Sequence, residues 1–518
     1  MAIPLQGKAQ QQQGEGGKGD GAVDDDGDDQ PSVASELREL WGMAAPITAL
    51  NCVVYLRAMV SVLCLGRLGP LDLAGGALAI GLTNITGHSV LFGLASGLEP
   101  LCAQAFGSKN YDLLTLSLQR AVLLLTLAAL PIALLWLHVG PILVALGQDP
   151  TISASAAAYA AYALPDPRGQ RRAPAAALLP PLAGDHQAHG PPGSAIAVGF
   201  QVPVKSVPRV WASASACAAL RAAQAVTNTH MVLFLLAYIR WSRACDATWK
   251  GWARPAAVAS GLAGLVRLAV PSCVGVCLEW WWYEVVTVLA GYLPDPAAAV
   301  GAAGVLIQTT SLMYTVPMAL AACVSTRVGN ELGGGKPRRA RMAAMVALGC
   351  AVVIGVVHVA WTAAFSREWV ELFTREAAVV RLAAAAMPIL GLCELGNCPQ
   401  TTGCGVLRGT ARPAVGARIN LLSFYLVGTP VAVTLAFGAR VGFGGLWYGL
   451  LSAQAACVAL VLLAVVWRTD WHLEALRAKK LTGLEMIAAA AEGDDDECKR
   501  LIAPLPPPDG HDVAVDVV

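Results

Sequence analysis

Two glutamates lie inside long apolar runs, where an ionised side chain is costly. Glu279 falls within Val270–Leu293, and Glu394 falls within Leu382–Cys398. A carboxylate at bilayer depth costs several kcal/mol unless it faces a bundle interior or a water-filled cavity. Because desolvation penalises the charged form, such an acid can take up and release a proton near physiological pH. Two buried acids of this kind favour ion-coupled transport.

The residues that follow Glu279 could bind an organic cation. Trp280, Trp281 and Tyr283 carry ring faces that attract cations, although a belt at the membrane interface is an equally good interpretation. Glu284 lies about 140° around the helix from Glu279, at 3.6 residues per turn. We therefore expect these two acids on different faces, with Glu284 as a structural hydrogen-bonding partner.

The first half of the chain offers Asn51 and Asn84 as polar candidates to line the same cleft. No metal site is predicted, because the 14 cysteines follow no metal-binding spacing and most lie in apolar runs. The net charge of +1 gives no indication of nucleic acid as a partner.

The elements that position these residues are membrane-spanning helices. The chain has 518 residues, of which 56% are hydrophobic and 14% charged, whereas soluble domains carry roughly 25% charged residues. Basic residues cluster in alternate loops, so the rule that such loops face the cytoplasm places both termini there. The predicted spans are Met43–Leu65, Ala74–Leu98, Ala121–Leu146, Ile152–Leu164, Thr227–Trp241, Leu265–Leu293, Ala298–Val324, Met342–Phe365, Val379–Cys398, Ile419–Phe437 and Phe443–Val466.

The composition divides the chain into two lobes and two tails. Residues 1–35 form an acidic tail and 481–518 a second tail, both too polar to fold alone. Residues 36–241 form an N-lobe, 242–264 a cytoplasmic loop and 265–480 a C-lobe. A weak repeat aligns Gly107-Ser-Lys with Gly334-Gly-Lys, as expected for two halves related by an axis along the membrane normal.

Three long motifs resemble the multidrug and toxic compound extrusion (MATE) family, most closely its plant DETOXIFICATION branch. They are Cys277-Leu-Glu-Trp-Trp-Trp-Tyr-Glu284, Leu101-Cys-Ala-Gln-Ala-Phe-Gly-Ser-Lys109, and the run from Glu394 to Pro413. The resemblance implies an all-α membrane protein, a twelve-helix bundle of two six-helix lobes with a cleft between them. It implies export of small organic solutes driven by a proton gradient, with sodium as the alternative and no bound cofactor. Glu279 would be the coupling acid and Glu394 its support. Prokaryotic relatives place an Asp in the first helix, whereas this chain has Asn51 nearby.

Residues 165–226 depart from the family, so the fifth and sixth helices are doubtful. The stretch is rich in Pro, Ala and Arg, and proline inside a helix costs about 3 kcal/mol. We interpret it as the product of a shifted reading frame, and a chain altered in this way could be inactive in transport.

Three further functions compete with coupled transport: a membrane-embedded enzyme, an ATP-driven pump and a passive channel. The only His-x4-Asp pair, His511 and Asp516, lies in the C-terminal tail. The loop Gly329–Lys336 is followed by Pro337, where a phosphate-binding loop needs Ser or Thr. Two buried acids favour exchange over passive conduction.

We expect a monomer embedded in the lipid bilayer, either in the plasma membrane or in a vacuolar or endosomal membrane. The second location depends on Glu497-Cys-Lys-Arg-Leu-Ile502 in the C-terminal tail, which fits an acidic dileucine sorting signal.

Overall fold

The computed structural model describes residues 32–68, 81–145, 150–151, 153–154, 157, 248–249 and 251–483. Both tails, apart from a few residues at their inner ends, lie outside these ranges, and so does the departing stretch 165–226. The described elements are helices: α1 (Val33–Leu68), α2 (Gly81–Gly107), α3 (Tyr111–Leu137), α4 (Val139–Ala145), α5 (Pro255–Ser260), α6 (Leu262–Ala290), α7 (Pro296–Gly333), α8 (Pro337–Ala364), α9 (Ser366–Glu371), α10 (Ala377–Gly409), α11 (Pro413–Gly438), α12 (Phe443–Trp467) and α13 (Trp471–Thr482).

Eight of the described helices are long and apolar enough to cross a membrane: α2, α3, α6, α7, α8, α10, α11 and α12. The long helix α1 packs against α7 with the opposite chain direction, since Glu36 meets Arg327 and Tyr55 meets Gln308. The helical membrane architecture is as predicted.

Helix starts follow the local sequence. Asn110 caps α3 by accepting a hydrogen bond from the Leu113 amide, and Asp295 caps α7 in the same way at Ala298. Proline occupies the first turn of α7, α8 and α11, where its missing N–H costs nothing. Pro399 lies inside α10, so the carbonyl of Leu395 loses its usual partner in the part of the helix that carries Glu394.

One predicted span and one predicted loop differ from the structure in detail. The span predicted at Ala121–Leu146 begins earlier, at Tyr111, because Asn110 supplies a cap. It ends at Leu137, because Pro141 cannot donate a hydrogen bond to the Leu137 carbonyl. The loop predicted at 242–264 also contains α5, and Gln119 and Arg120 of α3 hold this segment through its backbone carbonyls.

The two lobes meet where α2 and α7 end. A Cβ atom on Gly107 would overlap the Asn330 carbonyl, and one on Gly333 would overlap the Gln104 carbonyl. The contact is therefore reciprocal: the last glycine of each helix lies against the backbone of the other helix, three residues before that helix ends. A twofold axis requires such a relation, and the contact pairs Gly107 with Gly333, one residue before the Gly334 of the predicted repeat.

Ion pairs gather at this same end of the bundle, which we call the basic end and define by Arg327, Arg339, Arg408 and Arg412. Arg327 binds Glu36 of α1 at 2.8 Å, and Arg408 binds Glu99 of α2 at 3.1 Å. Gln104 donates a hydrogen bond to the Gly409 carbonyl at 2.9 Å. These contacts join the lobes, so the structure is closed at the basic end.

Candidate functional site

A cavity of 390 Å³ lies between the lobes, bordered by α1 and α2 on one side and by α6 and α7 on the other. Seven of the eight predicted site residues line it: Asn51, Asn84, Glu279, Trp280, Trp281, Tyr283 and Glu284. The eighth, Glu394, lies behind the wall. Its carboxylate accepts a hydrogen bond from Thr310, which is itself a wall residue.

Glu279 is buried and weakly held. Its side chain is 7% exposed, and Gln400 donates one hydrogen bond to Oε2 at 3.3 Å. Within the described part of the chain, no Lys or Arg lies within 4 Å of this carboxylate. A buried carboxylate that forms no close ion pair is available to a proton or to a bound cation.

Glu279 also borders a second, smaller cavity of 50 Å³, whose wall includes Cys404, Leu407 and Arg408. Along α6 and α7 the two cavities extend in opposite directions from Glu279, and the smaller one points toward the basic end. The carboxyl group therefore stands between the large cavity and the closed end of the bundle.

Glu394 is 1% exposed and sits among polar side chains from three helices. Thr310 of α7 and Asn397 of α10 donate hydrogen bonds to it, the second at 3.1 Å. His358 of α8 places Nδ1 3.7 Å from Oε2. This acid is thus embedded in the C-lobe rather than exposed to the cavity.

A row of polar side chains runs between the two acids, with the Thr401 hydroxyl at its middle, where one hydrogen serves two amide oxygens. Gln400 contacts Glu279, and its Oε1 lies 3.3 Å from the Thr401 hydroxyl. The same hydroxyl lies 3.3 Å from Oδ1 of Asn397, whose amide reaches Glu394. Gln454 branches from this row at Asn397 without leading to either acid.

The three consecutive tryptophans point in different directions around α6, as their spacing requires. Trp280 stacks on Phe92 with ring centroids 5.7 Å apart. The Trp281 indole donates a hydrogen bond to the Ile85 carbonyl at 3.1 Å. Trp282 is buried, and its indole donates a hydrogen bond to the Thr429 hydroxyl. Trp280 and Trp281 thereby join the C-lobe to α2 while leaving ring surface in the cavity.

Glu284 shares the cavity with Glu279, although we expected the two acids on different faces of α6. The cavity curves around the helix and reaches both carboxyl groups. Across the cavity, Asn51 donates to the Thr315 carbonyl at 3.4 Å, while Asn84 is exposed at the start of α2.

Several cavity and network residues escaped prediction. Tyr55, Thr310 and Tyr314 line the cavity, and His358 and Gln400 contact the two acids. Each of these five is a polar side chain inside an apolar run. The same feature singled out the glutamates and asparagines in the sequence, but it was not applied to these five residues.

The family comparison agrees with this architecture. The MatE family model matches residues 46–166 and 271–434. Residues 167–226 lie outside both matched segments, so the interpretation of a shifted frame there stays a prediction.

The chain is similar to curated proteins and solved structures along most of its length. Protein DETOXIFICATION 55 of Arabidopsis thaliana is 46% identical over 475 residues, which covers 88% of this chain and 93% of the relative. Protein DETOXIFICATION 52 of the same plant is 46% identical over 486 residues, which covers 91% and 92%.

Among solved structures, the eukaryotic MATE transporter AtDTX14 superposes with a TM-score of 0.76 at 29% identity, covering 87% of this chain and 99% of that one. A mutant form of the Vibrio cholerae MATE transporter VcmN gives a TM-score of 0.70 at 18% identity, with 88% and 100% covered, and supports the fold alone. These matches confirm the twelve-helix bundle of two lobes, and they are to transporters rather than enzymes. The chain belongs to the MatE family and is a multi-pass integral membrane transporter of small molecules.

Proposed function

We propose that this transporter exports organic solutes in exchange for protons, with Glu279 as the group that binds the proton and the solute in turn. The observation that carries the proposal is the position of Glu279 on the walls of both cavities, with no Lys or Arg of the described residues within 4 Å of its carboxylate. A group placed between the two sides of a closed bundle can be exposed to each side as the lobes move.

The lining of the large cavity favours organic cations or neutral amphiphiles over anions. Five aromatic side chains line the cavity: Tyr55, Trp280, Trp281, Tyr283 and Tyr314. The carboxyl groups of Glu279 and Glu284 add negative charge. No Lys, Arg or His belongs to the described lining. Aromatic faces attract cations by about 0.5–2 kcal/mol each, with the larger values in dry sites.

Competition for a single carboxylate would produce the exchange. A cation that enters the cavity neutralises Glu279 and displaces its proton, while a proton arriving from the other side releases the cation. A row of polar side chains, Gln400, Thr401 and Asn397, lies between Glu279 and Glu394, and the Thr401 hydroxyl can donate to either amide oxygen beside it. This row would let the second acid respond to the state of the first.

The direction of transport follows from the charge pattern. We infer that the basic end, including Arg327 and Arg408, faces the cytoplasm, as basic loops do in membrane proteins. The large cavity would then open away from the cytoplasm, where the solute leaves and the proton enters. The protein would act as a monomer, in the plasma membrane or in a vacuolar or endosomal membrane.

Transport by the purified protein in lipid vesicles tests this function. Uptake of a fluorescent organic cation such as ethidium is measured under a pH gradient, under a sodium gradient and with ATP alone. We expect uptake with the pH gradient only. Uptake that needs ATP would select a pump, uptake that follows sodium would select sodium coupling, and flux indifferent to all three would select a channel.

Glu279→Gln, compared with Glu371→Gln, locates the coupling group. Glu371 is a half-exposed acid of α9 that pairs with Arg367 at 2.8 Å, away from the cavity. We expect loss of gradient-driven uptake in Glu279→Gln and normal uptake in Glu371→Gln.

A further inference from the structure

His358, Glu394 and Cys398 bring three different metal-ligating groups together in the C-lobe. One ligand atom from each lies within 4.8 Å of the others. Glu394 and Cys398 are four residues apart on α10 and share a face of that helix, while His358 comes from α8. No spacing along the sequence links His358 to the other two, so the sequence did not predict the cluster.

The two separations that involve His358 fit a tetrahedral ion. His358 Nδ1 lies 3.7 Å from Glu394 Oε2 and 3.6 Å from Cys398 Sγ. With zinc bonds of about 2.0–2.1 Å to nitrogen and oxygen and about 2.3 Å to sulfur, tetrahedral geometry places such ligand atoms about 3.4–3.6 Å apart. The two separations at His358 are close to these values, and the third, between Glu394 and Cys398, is within 4.8 Å and would shorten around one ion.

The surroundings resemble those of a built metal site. Thr310 and Asn397 donate hydrogen bonds to Glu394 and hold its carboxylate in place, as outer partners of metal ligands do. Thr310 also lines the large cavity, so a single side chain separates the cluster from the space that solutes enter.

We propose that His358, Glu394 and Cys398 bind a zinc-class divalent metal ion. The mixed nitrogen, oxygen and sulfur set suits Zn²⁺ and its substitute Co²⁺, whereas sodium and magnesium prefer oxygen ligands alone. A bound ion would hold the Glu394 carboxylate as a ligand, so that Glu394 could no longer respond to Glu279 through the side chains between them. We expect transport to be inhibited. That inhibition rests on the proposed function, but the binding does not.

Metal binding is measured on the full-length protein in detergent, without a gradient or a solute. Addition of Co²⁺ should produce the visible bands of a tetrahedral ion and a near-ultraviolet charge-transfer band from one thiolate, and Zn²⁺ should abolish both. Cys398→Ser should remove the charge-transfer band. His358→Ala should weaken binding more than about tenfold, since loss of outer partners alone costs about 10–100-fold in metal affinity.

Cys273→Ser provides the matched control, because Cys273 is a thiol of α6 that lies 3.8 Å from Cys277 and belongs to a different part of the C-lobe. It should leave both bands unchanged. Zinc-edge X-ray absorption of the wild-type protein with one equivalent of Zn²⁺ avoids any variant that fails to fold. It should give a single sulfur ligand beside nitrogen and oxygen.

Three results would overturn the proposal: a cobalt spectrum unchanged by Cys398→Ser, a zinc shell with no sulfur or two sulfurs, or no retained zinc. Failure of the proposed function looks different. In that case the spectra would be as expected while Zn²⁺ has no effect on uptake, or while no gradient-driven uptake occurs.

Discussion

Glu279 combines properties that a purely structural acid does not need. It is buried and borders two cavities, and a single side-chain hydrogen bond at 3.3 Å holds it. Glu331, by comparison, pairs with Arg327 at 3.2 Å and belongs to the contacts of the basic end. Glu279 is therefore available to bind a proton or a cation, whereas Glu331 is already held in an ion pair.

The row of side chains between the acids can be interrupted at Gln400. We predict that Gln400→Leu lowers the rate of proton-driven uptake while the protein still inserts and folds, because the change keeps side-chain size but removes the link to Glu279. The rate and its dependence on pH are measured in vesicles. Gln454→Leu is the control, since Gln454 is equally buried and contacts Asn397 but lies off the row. Equal effects of the two changes would assign Gln400 a packing role.

Sequence reasoning reached the residues whose character is visible within one helix. A glutamate in an apolar run predicts a buried acid wherever the helix lies, so Glu279 and Glu394 were found. The partners Thr310, His358 and Gln400 were missed, because their meaning depends on which helices adjoin. Glu284 shows the same limit. Helical spacing predicts the side of α6 from which its side chain projects, but only the structure shows that one cavity is lined by both Glu284 and Glu279.

At the scale of elements, the ends of α2 and α7 control how closely the lobes approach. Gly107 and Gly333 let two backbones touch where any side chain would collide. The ion pair between Arg408 and Glu99 lies beside this contact and joins α10 to α2. Together they favour the conformation closed at the basic end.

Gly107→Ala should therefore shift the protein toward a conformation open at the basic end. The added methyl group would overlap the Asn330 carbonyl, and backbone atoms can only relieve the overlap by moving apart. Spin labels on α2 and α7 would report a longer distance between the lobes. Gly349→Ala on α8, where the methyl group meets open space, should leave the distance unchanged. An unaltered distance in Gly107→Ala would show that this contact does not set the closure.

The spanning helices were predictable because a long apolar run is enough to indicate a span. Their ends were not, because they depend on capping residues and prolines next to the run. Asn110 moved the start of α3 ten residues before the predicted Ala121. The repeat was a weak pattern in the sequence, and its reciprocal contact became visible only when both helix ends were placed.

At the scale of the whole molecule, we expect the C-terminal tail to set the membrane in which the protein resides, separately from its transport chemistry. We predict that replacing Leu501 and Ile502 by Ala moves a fluorescent fusion from endosomal or vacuolar membranes to the cell surface, because an adaptor would no longer bind the tail. The distribution is measured by microscopy in plant cells. Ala substitution of Leu505, outside the motif, serves as the control, and an unchanged pattern in the double variant would mean that the motif is not recognised.

The proposed exchange would link the three scales: a carboxyl group, the helices that bury it and the lobes that would expose it to each side. If proton and cation share Glu279, each must displace the other even when no membrane is present. Binding of a cation to the purified protein should then release a proton into a weakly buffered solution.

Proton release on cation binding is the most direct test of the shared site. A pH-sensitive dye follows the addition of ethidium to wild-type protein in detergent, to Glu279→Gln and to Glu371→Gln. We predict release of a proton for each bound cation in the wild type and in Glu371→Gln, and no release in Glu279→Gln. Equal release in all three proteins would contradict the assignment of Glu279 as the residue where proton and solute compete.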